Sequence, residues 1–183
     1  ELIKILQVRN IDSFVESRRQ KTSEKDKKTV QSILNDVRKN GDSAVKKYER
    51  KFNGRKTSQL RVSAKEIKEA RSKISSEEIT ALRDMSACLR PRGNRKVKPW
   101  SYAGLVFMRF VPIPSVGCYI PGGQARYPSS VVMSVVTARR AGVKRIVVVS
   151  PPNRDGKIDP LTIVAAKMCG ATEIYKVGGA QAI

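Results

Sequence analysis

The chain has 183 residues, 40% apolar and 29% charged, with 37 Lys and Arg against 16 Asp and Glu, a formal charge of +21 and no histidine. Such a composition is that of a folded chain, and no apolar run reaches the ~20 residues of a membrane-spanning helix. Without imidazole there is no Ser-His-Asp or Cys-His catalysis and no histidine zinc site within these residues, so proton transfer would fall to a carboxylate, Lys, Tyr or Cys.

Cys88, Cys118 and Cys169 lie far apart without CxxC spacing, which predicts neither a zinc cage nor a disulfide framework and points to a reducing cytoplasm. The chain begins at Glu1 and ends in apolar sequence at Ile183, as expected of a piece of a longer protein, and it carries no signal-peptide pattern. No Asp or Glu stands between Asp84 and Asp155, so this stretch presents a positive field that would attract phosphate, whether of nucleic acid or of a nucleotide.

In chain order, Thr22 and Ser23 open a helix striped by Val30, Ile33, Leu34 and Val37 and ended by Gly41. Asp42 can cap a second helix burying Ala44, Val45, Tyr48 and Phe52, closed by Asn53-Gly54. Ser63 with Glu66 and Ser75 with Glu78 have the spacing of capping boxes, ahead of Ile67, Ala70 and Ile74 and then Ile79, Leu82, Met85 and Leu89; Pro91 and Gly93 stop the last helix. Residues 90–104 read as a basic loop (Arg90, Arg92, Arg95, Lys96, Lys98) with a packed Trp100. It has too few aromatics for a nucleic-acid stacking platform. Residues 105–113 read as one strand interrupted by Arg109.

From Val116 the texture alternates. Val116–Ile120 reads as a strand, Pro128-Ser129-Ser130 opens a helix running to Gly142, and Arg145–Ser150 is an apolar strand of the kind found in the middle of parallel sheets. Asp159-Pro160 caps a helix ending at Gly170, and Glu173–Val177 is a third strand. The fold class expected is α/β: a helical amino-terminal segment followed by an incomplete, Rossmann-like parallel β-α-β-α-β half-domain.

Ligands of open parallel sheets lie beyond the carboxyl ends of the strands. Those ends are Tyr119-Ile120-Pro121-Gly122-Gly123, Ser150-Pro151-Pro152 and Val177-Gly178-Gly179-Ala180-Gln181. The glycines either let backbone approach a ligand or simply make tight turns; spacing leaves both readings open, since neither the G-x-G-x-x-G fingerprint nor a P-loop is present. Tyr119 and Gln181 would stand over one crevice as polar ligand contacts (Tyr119 reads equally as a core ring with its hydroxyl at the surface), beside the Ser129-Ser130 helix start, with Arg126 on the joint as a further positive charge.

The runs Val116–Gly123, Tyr127–Met133, Ala141-Gly142-Val143, Val149–Pro152, Ala165-Ala166-Lys167, Gly170 and Glu173–Ile183 resemble histidinol dehydrogenase, as does Val37–Asp42 nearer the amino terminus. The resemblance implies NAD-dependent oxidation of L-histidinol to L-histidine by a zinc-containing homodimer, with Tyr119 and Gln181 contacting NAD. It further implies that the family's Glu-His pair, its zinc ligands and its Gly-Pro-Gly-Asn motif lie outside these residues, so that no catalytic or metal-ligating residue is expected here and the chain alone is expected to be inactive. On this basis residues 1–20 form an amino-terminal arm, 21–115 the helical first segment of a split α/β domain, and 116–183 a partial NAD-binding domain. The alternative is a basic nucleic-acid-binding or scaffold protein on a degenerate dehydrogenase fold. Nucleic acid and membrane are not the partners the resemblance implies.

Overall fold

The computed structural model describes residues 10–18, 23–54, 59–89, 100–102, 106–122, 126–153 and 155–183. Most of the basic connector, including Arg90, Pro91, Arg92, Gly93, Arg95, Lys96 and Lys98, and also Gly123, lies outside the described residues. The first element, α1 (Ile11–Arg18), falls within the segment expected to be a plain arm; Asn10 Oδ1 caps it by accepting from Ser13 N at 3.0 Å.

Helix α2 (Glu24–Asn40) starts at an N-cap Ser23 whose hydroxyl accepts from Lys25 N, and it ends at Gly41 with φ +54°. Helix α3 (Asp42–Asn53) follows at once. Asp42 does not cap it, contrary to expectation: Gly41 is the N-cap, and Asp42 sits inside the first turn, where its charge meets the positive end of the helix. Ile33, Ala44 and Tyr48 bury together, as do Val45, Leu60 and Val177. Phe52 does not join them. It is 52% exposed, stacks on Tyr48 with ring centroids 5.9 Å apart, and lines an open groove with Thr29, Ser32 and Ile33 of α2 that no side chain among the described residues fills.

Both capping boxes form. Ser63 N and Ser75 N donate to Glu66 and Glu78, whose own amides donate back to the serine hydroxyls, at the starts of α4 (Ala64–Ser72) and α5 (Ser76–Cys88). Trp100 opens a strand and not a loop: β1 (Trp100–Tyr102) pairs antiparallel with β2 (Val106–Met108). The strand expected over 105–113 stops at Met108. Arg109 and the prolines at 112 and 114 break the pattern, and Pro can donate nothing to a ladder.

The main sheet is β3 (Ser115–Tyr119), β4 (Arg145–Ser150) and β5 (Glu173–Lys176), all parallel, in the order β3-β4-β5. Residues 60–62 extend it on the far side of β5: Lys176 N donates to Leu60 O at 2.7 Å and Val62 N to Ile174 O at 2.8 Å, around an antiparallel bridge between Arg61 and Tyr175.

The β3–β4 crossover is one continuous helix in three parts: α6 (Pro128–Val131), a π-helical stretch (Val132–Val136) and α7 (Thr137–Arg140). Ser134 and Thr137 hydroxyls donate to the carbonyls of Ser130 (2.7 Å) and Met133 (2.6 Å), competing with the regular ladder where it widens. The β4–β5 crossover, α8 (Pro160–Cys169), is capped by Asp159, which accepts from Thr162 N. One core joins Val131, Val132, Val135 and Val136 to Ile146 and Val148 of β4 and to Ile163 to Ala166 of α8, and it takes in Ala70, Ile79 and Leu82 of α4 and α5.

Candidate functional site

Parallel register brings all three strand ends to one edge: Tyr119 lies opposite Val149, and Ser150 opposite Lys176. The turns beyond them interlock. A Cβ on Gly122 would stand 2.7 Å from Ser150 Oγ and 3.0 Å from Pro151 O; one on Gly178 would stand 2.6 Å from Pro151 Cγ. These two glycines are therefore required by the neighbouring turn, with no ligand needed to explain them. Gly179 adopts φ +64°, which favours glycine for a different reason.

Tyr119 is 40% exposed at the end of β3, and its hydroxyl accepts from Gly179 N at 3.2 Å, tying the first strand end to the third. Gln181 is 4% exposed in the 3-10 turn Ala180–Ala182 that follows. Its carbonyl oxygen lies 2.8 Å from where a Cβ of Gly179 would be, so Tyr119 and Gln181 converge on the same glycine. That oxygen is buried and has no hydrogen-bond partner among the described residues.

The nitrogen of the same amide donates to Glu49 Oε1 at 2.8 Å, and Gly178 N donates to the same oxygen at 3.1 Å. Glu49 comes from α3 and is 0% exposed. Nothing in the run Lys47-Tyr48-Glu49-Arg50-Lys51 marks it, since a glutamate among charged helix residues reads as a solvated face.

Arg126 is not free to face an anion at the α6 start. Its guanidinium pairs with Asp159 (2.9 Å) and Glu78 (3.2 Å), pinning the joint to α5 and α8. Cys118, the residue before Tyr119 on β3, is buried, and burial pushes its thiol up against a smaller downward pull from Ser134, so it is a core residue with little thiolate at neutral pH. Below the sheet, burial would raise the Glu66 carboxyl, but hydrogen bonds from Lys176 (2.8 Å) and Ser63 outweigh it and hold it low. No cluster of three or more His, Cys, Asp or Glu that could hold a metal occurs among the described residues.

A family model described as histidinol dehydrogenase matches residues 16–183. The chain belongs to the histidinol dehydrogenase family. Among proteins named histidinol dehydrogenase, that of Geobacillus kaustophilus is 42% identical over 166 residues, covering 88% of this chain and 39% of that protein. The counterpart from Clostridium acetobutylicum is 38% identical, covering 100% of this chain and 45% of its own length. A crystal structure of histidinol dehydrogenase from Elizabethkingia anophelis superposes with a TM-score of 0.83 at 28% identity, over 94% of this chain and 42% of that one. The chain thus spans less than half the length of the relatives it matches, and its α/β fold is that of this part of the family.

Proposed function

We propose that this chain supplies one wall of the nucleotide crevice of an NAD-dependent histidinol dehydrogenase, in which L-histidinol is oxidised to L-histidine within a homodimer. The observation that carries this reading is the convergence of Tyr119 and Gln181 on Gly179, with a buried carbonyl oxygen on Gln181 that has no partner among the described residues. A buried acceptor without a donor costs about 1–3 kcal/mol, a deficit that a ligand hydroxyl or amide would remove. The Tyr119 phenol, accepting from Gly179 N through one lone pair, retains its O–H to donate. Bound NAD would accept hydride; Tyr119 and Gln181 would hold and orient it, and the interlocked turns would keep that edge of the crevice rigid.

The zinc of the family does not fit these residues: the sequence has no histidine, and no ligand cluster occurs among the described residues. No step through a metal is assigned to this chain. It follows that the 183-residue chain alone should produce no NADH from histidinol, which absorbance with purified chain, NAD+ and histidinol measures; steady turnover would refute this. Calorimetry should detect weak NAD+ binding that Tyr119→Ala weakens by roughly ten-fold, the effect of one lost hydrogen bond. Equal affinity of the two would remove Tyr119 from the crevice.

A further inference from the structure

An amide side chain can sit in either of two orientations, related by exchanging its oxygen and nitrogen. At Gln181 the choice is made by Glu49, 132 positions away in the chain, whose Oε1 is an acceptor. With nitrogen toward Glu49 the amide makes a hydrogen bond of 2.8 Å; turned over, it would set oxygen against oxygen. The same Oε1 also receives Gly178 N, so one buried oxygen holds both the side chain and the turn that carries it.

We propose that Glu49 is a positioning residue for the crevice. It fixes the Gln181 amide and the Gly178 turn so that the Gln181 carbonyl oxygen is the atom left for a ligand. That atom can meet only a donor, so the group it suits is a ribose hydroxyl or a carboxamide N–H and not a phosphate oxygen. The choice of ligand group rests on the nicotinamide nucleotide reading above; the role of Glu49 does not.

The side-chain amide protons of Gln181, followed by nuclear magnetic resonance on nitrogen-labelled chain, test the two parts separately. In the unsubstituted chain and in Glu49→Gln, which retains an acceptor oxygen, these protons should exchange slowly with water. In Glu49→Leu they should exchange at least ten-fold faster, and NAD+ measured by calorimetry should bind about ten-fold more weakly, the size of one lost hydrogen bond. Should Glu49→Leu fail to fold by circular dichroism, Glu49→Asp, whose carboxylate falls one methylene short, should show a smaller loss of protection in the same direction.

A Gln181 amide that stays as protected in Glu49→Leu and Glu49→Asp as in the unsubstituted chain overturns the positioning role, whatever NAD+ does. NAD+ binding should also move the Gln181 resonances, whereas inorganic pyrophosphate should not. Pyrophosphate moving them as far as NAD+ would overturn the assignment of a donor. No binding of NAD+ to the unsubstituted chain, with the amide still following Glu49, supports the positioning role and defeats the nicotinamide reading.

Discussion

Helices α2 and α3 and the sheet with its covering helices are held together in different ways. Around β4 the core is dense and apolar, with Val131, Val135, Val148, Ala165 and Ala166 at zero exposure. The α2–α3 pair buries a handful of side chains and leans instead on polar contacts: Asp36 accepts from Lys47 (2.8 Å), Asn40 (2.6 Å) and Tyr48 (2.8 Å). Yet this lightly packed pair reaches the strand-end turns, since Val45 packs on Val177, Ala180 packs against Ile33 and its neighbours, and Glu49 grips Gln181. The stable half presents the crevice edge; the marginal half sets the conformation of one side chain in it.

The sharpest way to break this contrast is to open equal cavities in both halves. Ile146→Ala, in the central strand, should destabilise by about 4 kcal/mol and Ile33→Ala in α2 by about 2 kcal/mol, read from denaturant unfolding. Equal losses would mean that the two cores are one.

A smaller effect separates the turns from the strands within the sheet half. Gly178→Ala drives a methyl into Pro151 and should destabilise by about 1–3 kcal/mol. Gly117→Ala, in β3, meets nothing within 4 Å and should be near neutral by thermal melting. A costly Gly117→Ala together with a silent Gly178→Ala would contradict the interlocked turns.

The smallest difference concerns acid. Lys47, then Asn40 and Tyr48, hold the Asp36 carboxyl down to about 2, and Arg145, then Tyr175, hold that of Glu173 down to about 2. Ordinary carboxylates titrate near 4, so as pH falls from about 4 toward 2 the unfolded chain takes up protons first and stability drops. Asp36→Asn and Glu173→Gln should each flatten that slope in acid-unfolding curves. A slope unchanged in the double variant would place the acid sensitivity elsewhere.

Much of the local architecture was legible because its causes are local. A capping serine and its glutamate stand three residues apart, Gly41 and Gly54 sit where helices must end, and the valines of β4 form an unbroken apolar run. Tyr119 and Gln181 could be named because strand ends in a parallel sheet share an edge and because the surrounding residues resemble a known family. Asp42 and Phe52 went the other way: Gly41 already occupied the cap, and Phe52 faces an open groove between α2 and α3 and not a filled core.

The sequence by itself determined helices α2 to α5 and the parallel half-sheet, set by propensity and by spacings of a few residues, while the family followed from the resemblance of its motifs. The tertiary structure alone decided that Arg126 is spent on Glu78 and Asp159, that residues 60–62 pair beside β5, and that Glu49 governs Gln181. Those contacts join residues tens to more than a hundred positions apart, and a charged side chain carries no mark of whether it will face water or a distant buried donor until the chain has closed around it.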